Sequence, residues 1–379
     1  MGKEVKEKIK YFDYNLLAIV IFLVCFGLVM LYSTSSYSAQ VKFGDSMYFF
    51  KRQALISAGS IFVMLFVAKI DYHIYARVAK LAYWISFVLM ALVLTPLGVE
   101  AYSARRWIRL PFGQTMQPSE VTKIAIIIFI PLLICKAGKH IKDVKVFGKI
   151  FLWGFAAFLG VFLLTDNLST AVIVMGMVCV MLFVAHPKTA PFVGLAAVGG
   201  IGIGLGVKVL GAMMETSEDF RLRRILVWLH PEEYAGEGGF QVMQGLYAIG
   251  SGGFFGKGLG NSAQKMIIPE VQNDMILSII CEELGVFGAI VLLTLFGMLL
   301  YRLMFIAKNA PDLYGSLIVT GIFAHIALQV ILNVAVVLNV IPTTGITLPF
   351  VSYGGTSILF LLAEMGLALG VSSRIRFEE

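Results

Sequence analysis

The chain has 379 residues, 59% of them hydrophobic and 14% charged, with a mean hydropathy of +0.87. Soluble globular chains are about 45–50% apolar and about 25% charged, so a water-facing globule is excluded and lipid must solvate much of the surface. The formal net charge of +7 does not imply nucleic acid: Lys and Arg lie in short pieces between apolar runs, the pattern of membrane-orientation signals.

A span needs roughly 20 mostly apolar residues to cross about 30 Å of hydrocarbon. Such runs occur at 15–34, 53–69, 77–96, 119–136, 148–165, 168–186, 189–211, 275–302, 314–338 and 355–374. They predict an all-α polytopic membrane protein of about ten transmembrane helices, a single membrane domain over 1–379, since open strands would leave backbone groups unpaired in lipid. The run at 275–302 is long enough to tilt or to extend beyond the bilayer. The first run has small residues at Ser33–Ser36 like a secretory signal, but it is longer than the usual apolar stretch of about 7–15 residues. With nine more runs after it, it reads as a retained helix.

Lys3, Lys6, Lys8 and Lys10 lie in the 1–14 segment. With ten spans, Lys69, Arg77, Lys136, Lys139, Lys142, Lys145, Lys149, Lys188, Arg302, Lys308, Arg374 and Arg376 fall on that same side. Positive loops favour the cytoplasm, so both termini are expected inside. A large loop at 212–274, between helices seven and eight, and a loop at 338–354 are expected outside. Cys25, Cys135, Cys179 and Cys281 sit in apolar surroundings without metal-ligand spacing and read as inert thiols.

The outer side breaks the charge rule. Arg105, Arg106 and Arg109 lie in the 97–118 loop, and Arg221, Arg223, Arg224, Lys257 and Lys265 lie in the large loop. Cations held there suggest an anionic ligand, with local ion pairs as the alternative. Glu120 and Lys123 are three apart on one helix face, either as a structural pair or as part of a wet cavity. Six glycines fall between Gly250 and Gly260, which allows close backbone approach. Gly258 follows Gly256-Lys257 where a P-loop needs Ser or Thr, so a tight re-entrant turn is expected. Asp274 precedes a long apolar run, as a helix cap or as a general base beside a partly dry cavity. Glu282 and Glu283 lie about two turns deeper. Proline and glycine between Pro342 and Gly355 exclude continuous helix there.

Pro342 to Ser357 resembles the signature near the carboxyl end of the SEDS family of shape, elongation, division and sporulation proteins. Arg106-Trp107-Ile108, Gln117-Pro118-Ser119-Glu120 with Lys123, Pro269-Glu270 with Asp274, and Glu282-Glu283-Leu284-Gly285 match in order and span most of the chain. Gly258-Leu259-Gly260-Asn261-Ser262 with Gln264-Lys265 is closer to the division and sporulation members, FtsW and SpoVE, than to the elongation member RodA. Asn167 stands where the family has an acid, with Asp166 shifted by one, which weakens a role for that acid. Gln272-Asn273 replaces the family's usual His-Thr.

The resemblance implies a bacterial cytoplasmic membrane enzyme that polymerises lipid II into glycan strands in division or sporulation, with undecaprenyl pyrophosphate leaving. It implies Asp274 as base and Arg52, Arg105, Arg106, Glu120, Lys123, Lys265, Ser352, Gly354 and Gly355 around substrate. The implied helper is a divalent cation, magnesium or manganese, with no ligand set assigned. Implied partners are lipid II, undecaprenyl-linked glycan, a class B penicillin-binding protein and other division or sporulation membrane proteins, with no nucleic acid. The rivals are a lipid II flippase, whose usual inverted repeats are not visible, and a non-catalytic divisome scaffold.

Overall fold

The structure is a computed structural model and describes residues 9–101, 104–109, 114–188, 192–194, 220–237 and 239–377. Among the described residues, eight helices are long and apolar enough to cross a membrane. They are α1 (Tyr14–Phe43), α2 (Tyr48–Lys69), α3 (Tyr72–Leu92), α4 (Pro118–Ala137), α5 (Val144–Thr165), α6 (Leu168–Ala185), α9 (Ile276–Asn309) and α10 (Leu313–Val337). A ninth, α11 (Ser357–Ser372), is apolar but shorter. Each coincides with a predicted run. The expected span at 189–211 lies outside the described residues apart from 192–194, as do the lysines at 3, 6 and 8.

One end of the bundle is tied by acids that cap helices and bind cations together. Asp13 accepts from the Leu16 amide at 2.8 Å and pairs with Arg302 at 2.7 Å. Asp312 caps α10 through Gly315 and receives the Tyr72 hydroxyl. Here β1 (Ile9–Lys10) pairs antiparallel with β5 (Arg376–Phe377), so these two segments lie at the same end of the bundle. The four cysteines are free.

The other end departs from the expected loops. Residues 97–118 contain a three-stranded sheet of β2 (Gly98–Ala101), β3 (Ala104–Arg109) and β4 (Thr115–Met116). The described part of 212–274 contains two helices, α7 (Phe220–Leu229) and α8 (Gly239–Gly252). The 338–354 segment is re-entrant rather than superficial. Leu348, Phe350 and Val351 are buried, and a Cβ on Gly27 would stand 2.5 Å from the Phe350 carbonyl oxygen. Gly27 is about 20 Å along α1 from Asp13, well inside a hydrocarbon layer of about 30 Å.

The long run at 275–302 is not one rod. Gly285 adopts φ 72°, ψ −174° and breaks α9 into 276–284 and 286–309. The second piece is about 36 Å long, enough by itself to span a hydrocarbon layer of about 30 Å. A break strands backbone groups that lipid cannot satisfy, and the glycine-rich loop supplies partners for four of them. The amides of Lys257 and Gly258 donate to the carbonyls of Glu282 and Glu283, and the amides of Val286 and Phe287 donate to those of Gly253 and Phe254, at 2.9–3.0 Å.

Candidate functional site

The glycine loop brings its own ion pairs. Lys257 Nζ lies 2.6 Å from Glu282 Oε1, and Ser262 Oγ also donates to that carboxylate. Lys265 Nζ lies 3.0 Å from Glu283 Oε1 and 2.6 Å from the Gly260 carbonyl, while Ser33 Oγ reaches Glu283 at 2.6 Å. Both glutamates are fully buried. Burying a carboxylate is costly unless it is paired and hydrogen-bonded. The two acids that the sequence places two turns deep are thus the anchors of the loop, and Lys265, expected against substrate, is engaged inside the protein.

Asp274 lies just ahead of α9, where Met275 is the N-cap and no side chain caps the helix. The capping alternative is therefore not realised. The Asp274 carbonyl is held by Asn333 Nδ2 at 2.9 Å, and the same nitrogen donates to the Ile346 carbonyl at 2.7 Å. Asn333 is fully buried on α10, so it ties the aspartate's segment to the re-entrant loop. Gln329, one turn away on the same face, holds the Thr347 carbonyl at 3.0 Å. Neither amide belongs to a motif recognisable in the sequence. Their signal was four-residue spacing of amides within an apolar helix.

Burial pushes the Asp274 carboxyl up from its ordinary range, and the Arg224 guanidinium opposes this. Burial lowers Arg224, and the charges of Asp274 and then Asp166 raise it. Arg224, on α7, therefore lies in the field of two acids, and its Nη1 is 3.5 Å from the Thr343 carbonyl. The neighbouring Trp228 Nε1 donates to the Asn339 carbonyl at 3.0 Å, docking α7 on the re-entrant loop. Asp166 reaches this cluster although it is shifted by one from the family's acid. It ends α5 in the left-handed conformation, φ 48°, while Asn167 takes the capping task and accepts from Thr170. The Asp166 charge nonetheless acts on Arg224.

A second group rims the same loop. Arg52 Nη2 lies 3.0 Å from Gln114 Oε1, and the Arg52 charge acts on Tyr353 together with Glu270. Glu270 pairs with Lys42 at 3.6 Å, the Tyr353 amide donates to the Gln272 carbonyl at 2.9 Å, and Thr356 Oγ1 donates to the Thr115 carbonyl at 2.8 Å. Ser352 is buried, and its hydroxyl oxygen accepts from the Leu348 amide at 2.8 Å, so it clamps the turn. Gly355 has φ 51° with open space where a Cβ would stand, and a Cβ on Gly354 would lie 3.1 Å from Ser357 Oγ.

The remaining predicted cations separate. Arg105 and Arg106 are neighbours on β3, and alternate residues of a strand face opposite sides. Arg105 is exposed and pairs with Glu100, its cross-strand neighbour, at 3.4 Å, whereas Arg106 is partly buried. They do not form one patch. Lys123 is buried in the bundle, 2.9 Å from both Glu120 Oε1 and His325 Nε2. Among the described residues no group of three or more His, Cys, Asp or Glu is arranged to hold a metal ion.

The FtsW/RodA/SpoVE family model, described as "cell cycle protein", matches residues 14–376. Stage V sporulation protein E of Bacillus subtilis is 40% identical over 372 residues, covering 96% of this chain and 98% of its own. A probable peptidoglycan glycosyltransferase FtsW of a Geobacter species (strain M18) is 35% identical over 379 residues, with 98% and 99% coverage. A chain from a solved peptidoglycan synthase complex that coordinates polymerization and crosslinking is similar at TM-score 0.76 and 28% identity, covering 95% of this chain and 97% of that one. The crystal structure of Thermus thermophilus rod shape determining protein RodA is similar at TM-score 0.67 and 26% identity, with 95% and 96% coverage. With a match across nearly its whole length, this multi-pass membrane chain belongs to the FtsW/RodA/SpoVE family.

Proposed function

We propose that the chain is a peptidoglycan glycosyltransferase that polymerises lipid II at the outer face of the cytoplasmic membrane. The observation that carries the reading is Asp274: a partly buried acid held through its backbone by Asn333, with the Arg224 guanidinium acting on its charge. A hydroxyl attacking an anomeric carbon needs a base, and a departing pyrophosphate needs positive charge. Asp274 takes the proton of the attacking sugar hydroxyl. The Arg224 charge favours the ionised carboxylate against the effect of burial, and Arg52 at the rim of the re-entrant loop faces the anionic groups.

The test is purified protein with labelled lipid II in detergent, where transport across a bilayer has no meaning. Glycan strands are the expected product. Lipid II binding without strands would favour a flippase, and neither would favour a scaffold. By the same reading a class B penicillin-binding protein cross-links the strands, and the paired termini lie in the cytoplasm. A Cys placed at 142 should resist an impermeant reagent in intact cells, and labelling without permeabilisation would reverse the orientation.

A further inference from the structure

Three polar side chains recur at every fourth position of α10: His325, Gln329 and Asn333. At 3.6 residues per turn they form one stripe. The outer two hold carbonyls of the Asp274 segment and the re-entrant loop. The innermost, His325, is fully buried, about 20 Å along the helix from Asp312. Its Nε2 lies 2.9 Å from Lys123 Nζ on α4, and its Nδ1 lies 2.7 Å from Glu364 Oε2 on α11, also fully buried.

The direction of these hydrogen bonds is forced by chemistry. An ammonium has three donors and no acceptor, so His325 Nε2 accepts from Lys123. The ring proton then sits on Nδ1 and is donated to Glu364. Glu120 takes a second ammonium proton at 2.9 Å. The third has no acceptor among the described residues. A Glu120–Lys123 pair alone would neutralise local charge, and ionisable groups in a bundle interior are expensive, so His325 and Glu364 need a further reason to be there. Ser119 Oγ, one turn from Lys123 on the same helix face, is buried with no partner among the described residues, as are Gln329 Oε1 and Glu364 Oε1. Buried polar atoms are almost always hydrogen-bonded, so this region keeps hydrogen-bonding capacity that the protein does not use itself.

We propose that His325 and Glu364 are positioning residues: as a hydrogen-bonded dyad they fix the Lys123 ammonium so that one N–H stays available to an anionic oxygen of the substrate. The role for substrate rests on the polymerase reading above. The dyad itself does not.

The first test is spectroscopic. In protein labelled with 15N-histidine and held in detergent, the spectrum of His325→Gln assigns His325 among the five histidines. The expected state is the neutral ring with its proton on Nδ1. A ring protonated on Nε2, or on both nitrogens, overturns the dyad. The second test is lipid II binding. His325→Phe keeps the ring shape but loses both polar atoms, and should weaken binding about 10- to 100-fold, the worth of one charge-assisted hydrogen bond. His325→Gln keeps an acceptor at the reach of Nε2 and should recover most of the loss. Equal binding by wild type and His325→Phe, or no recovery by Gln, overturns the positioning role. If the Phe variant does not fold, Glu364→Leu against Glu364→Gln asks the same question, with binding expected to be lost in Leu and kept in Gln. A wild type that binds lipid II yet makes no strands would sink the polymerase reading and leave the dyad standing.

Discussion

Gly256 and Gly285 meet backbone to backbone: a Cβ on Gly256 would stand 2.5 Å from the nitrogen of Gly285, and a Cβ on Gly285 would strike the nitrogen of Gly256 in return. Both have positive φ, 78° and 72°, where an L side chain is already strained. Gly256→Ala and Gly285→Ala should each destabilise the fold by more than about 2 kcal/mol, read as a lower melting temperature in detergent. Gly44 is the control, because it also has positive φ but has no atom within 4 Å of a Cβ. Equal effects at all three positions would mean the contact itself contributes nothing.

Lys265 separates structure from binding. Removing it leaves Glu283 buried and unpaired, which typically costs about 3–5 kcal/mol. Lys265→Ala should therefore lower the melting temperature strongly, and Lys265→Ala with Glu283→Ala should recover part of the loss. Unchanged melting with lost lipid II binding would return Lys265 to the substrate site.

Asp274→Asn keeps the size and leaves the Asn333 bond to the backbone carbonyl intact, but its amide cannot take up the hydroxyl proton. General-base catalysis is worth on the order of 100- to 10,000-fold, so strand formation should fall by about that factor. Melting and lipid II binding should change little. Near-normal polymerisation would remove Asp274 from the chemistry.

Arg224 should show itself in the pH profile. Burial raises the Asp274 carboxyl, so the ionised base accumulates, and polymerisation increases, as pH rises through that raised value. The stability sign is opposite: an acid with a raised folded-state pKa stabilises fully below its unfolded value, and that contribution is lost as pH rises through the folded one. Arg224→Ala removes the charge that holds Asp274 down, so the acid limb of the rate profile should move to higher pH. An unmoved limb with an unchanged maximal rate would dissociate Arg224 from Asp274.

Much of this protein was legible before its fold. Hydropathy is a local sum along the chain, and lipid imposes helical spans on long apolar runs, so nine of the ten expected runs coincide with apolar helices among the described residues. The special segments were legible too, because glycine and proline restrict backbone wherever they fall. What the sequence did not determine is who faces whom. Lys123 meets His325 across 202 residues and Ser33 meets Glu283 across 250, and no local period encodes either meeting. The break at Gly285 looked like one long helix because composition does not register a single positive φ. Arg105 and Arg106 are adjacent in sequence, and adjacency says nothing about the opposite strand faces they take. Lys265 looked like a ligand contact because its buried partner, Glu283, lies 18 residues further along the chain. Packing alone assigned these charges, since a buried ion is tolerated only where a distant segment brings its counter-charge and hydrogen bonds.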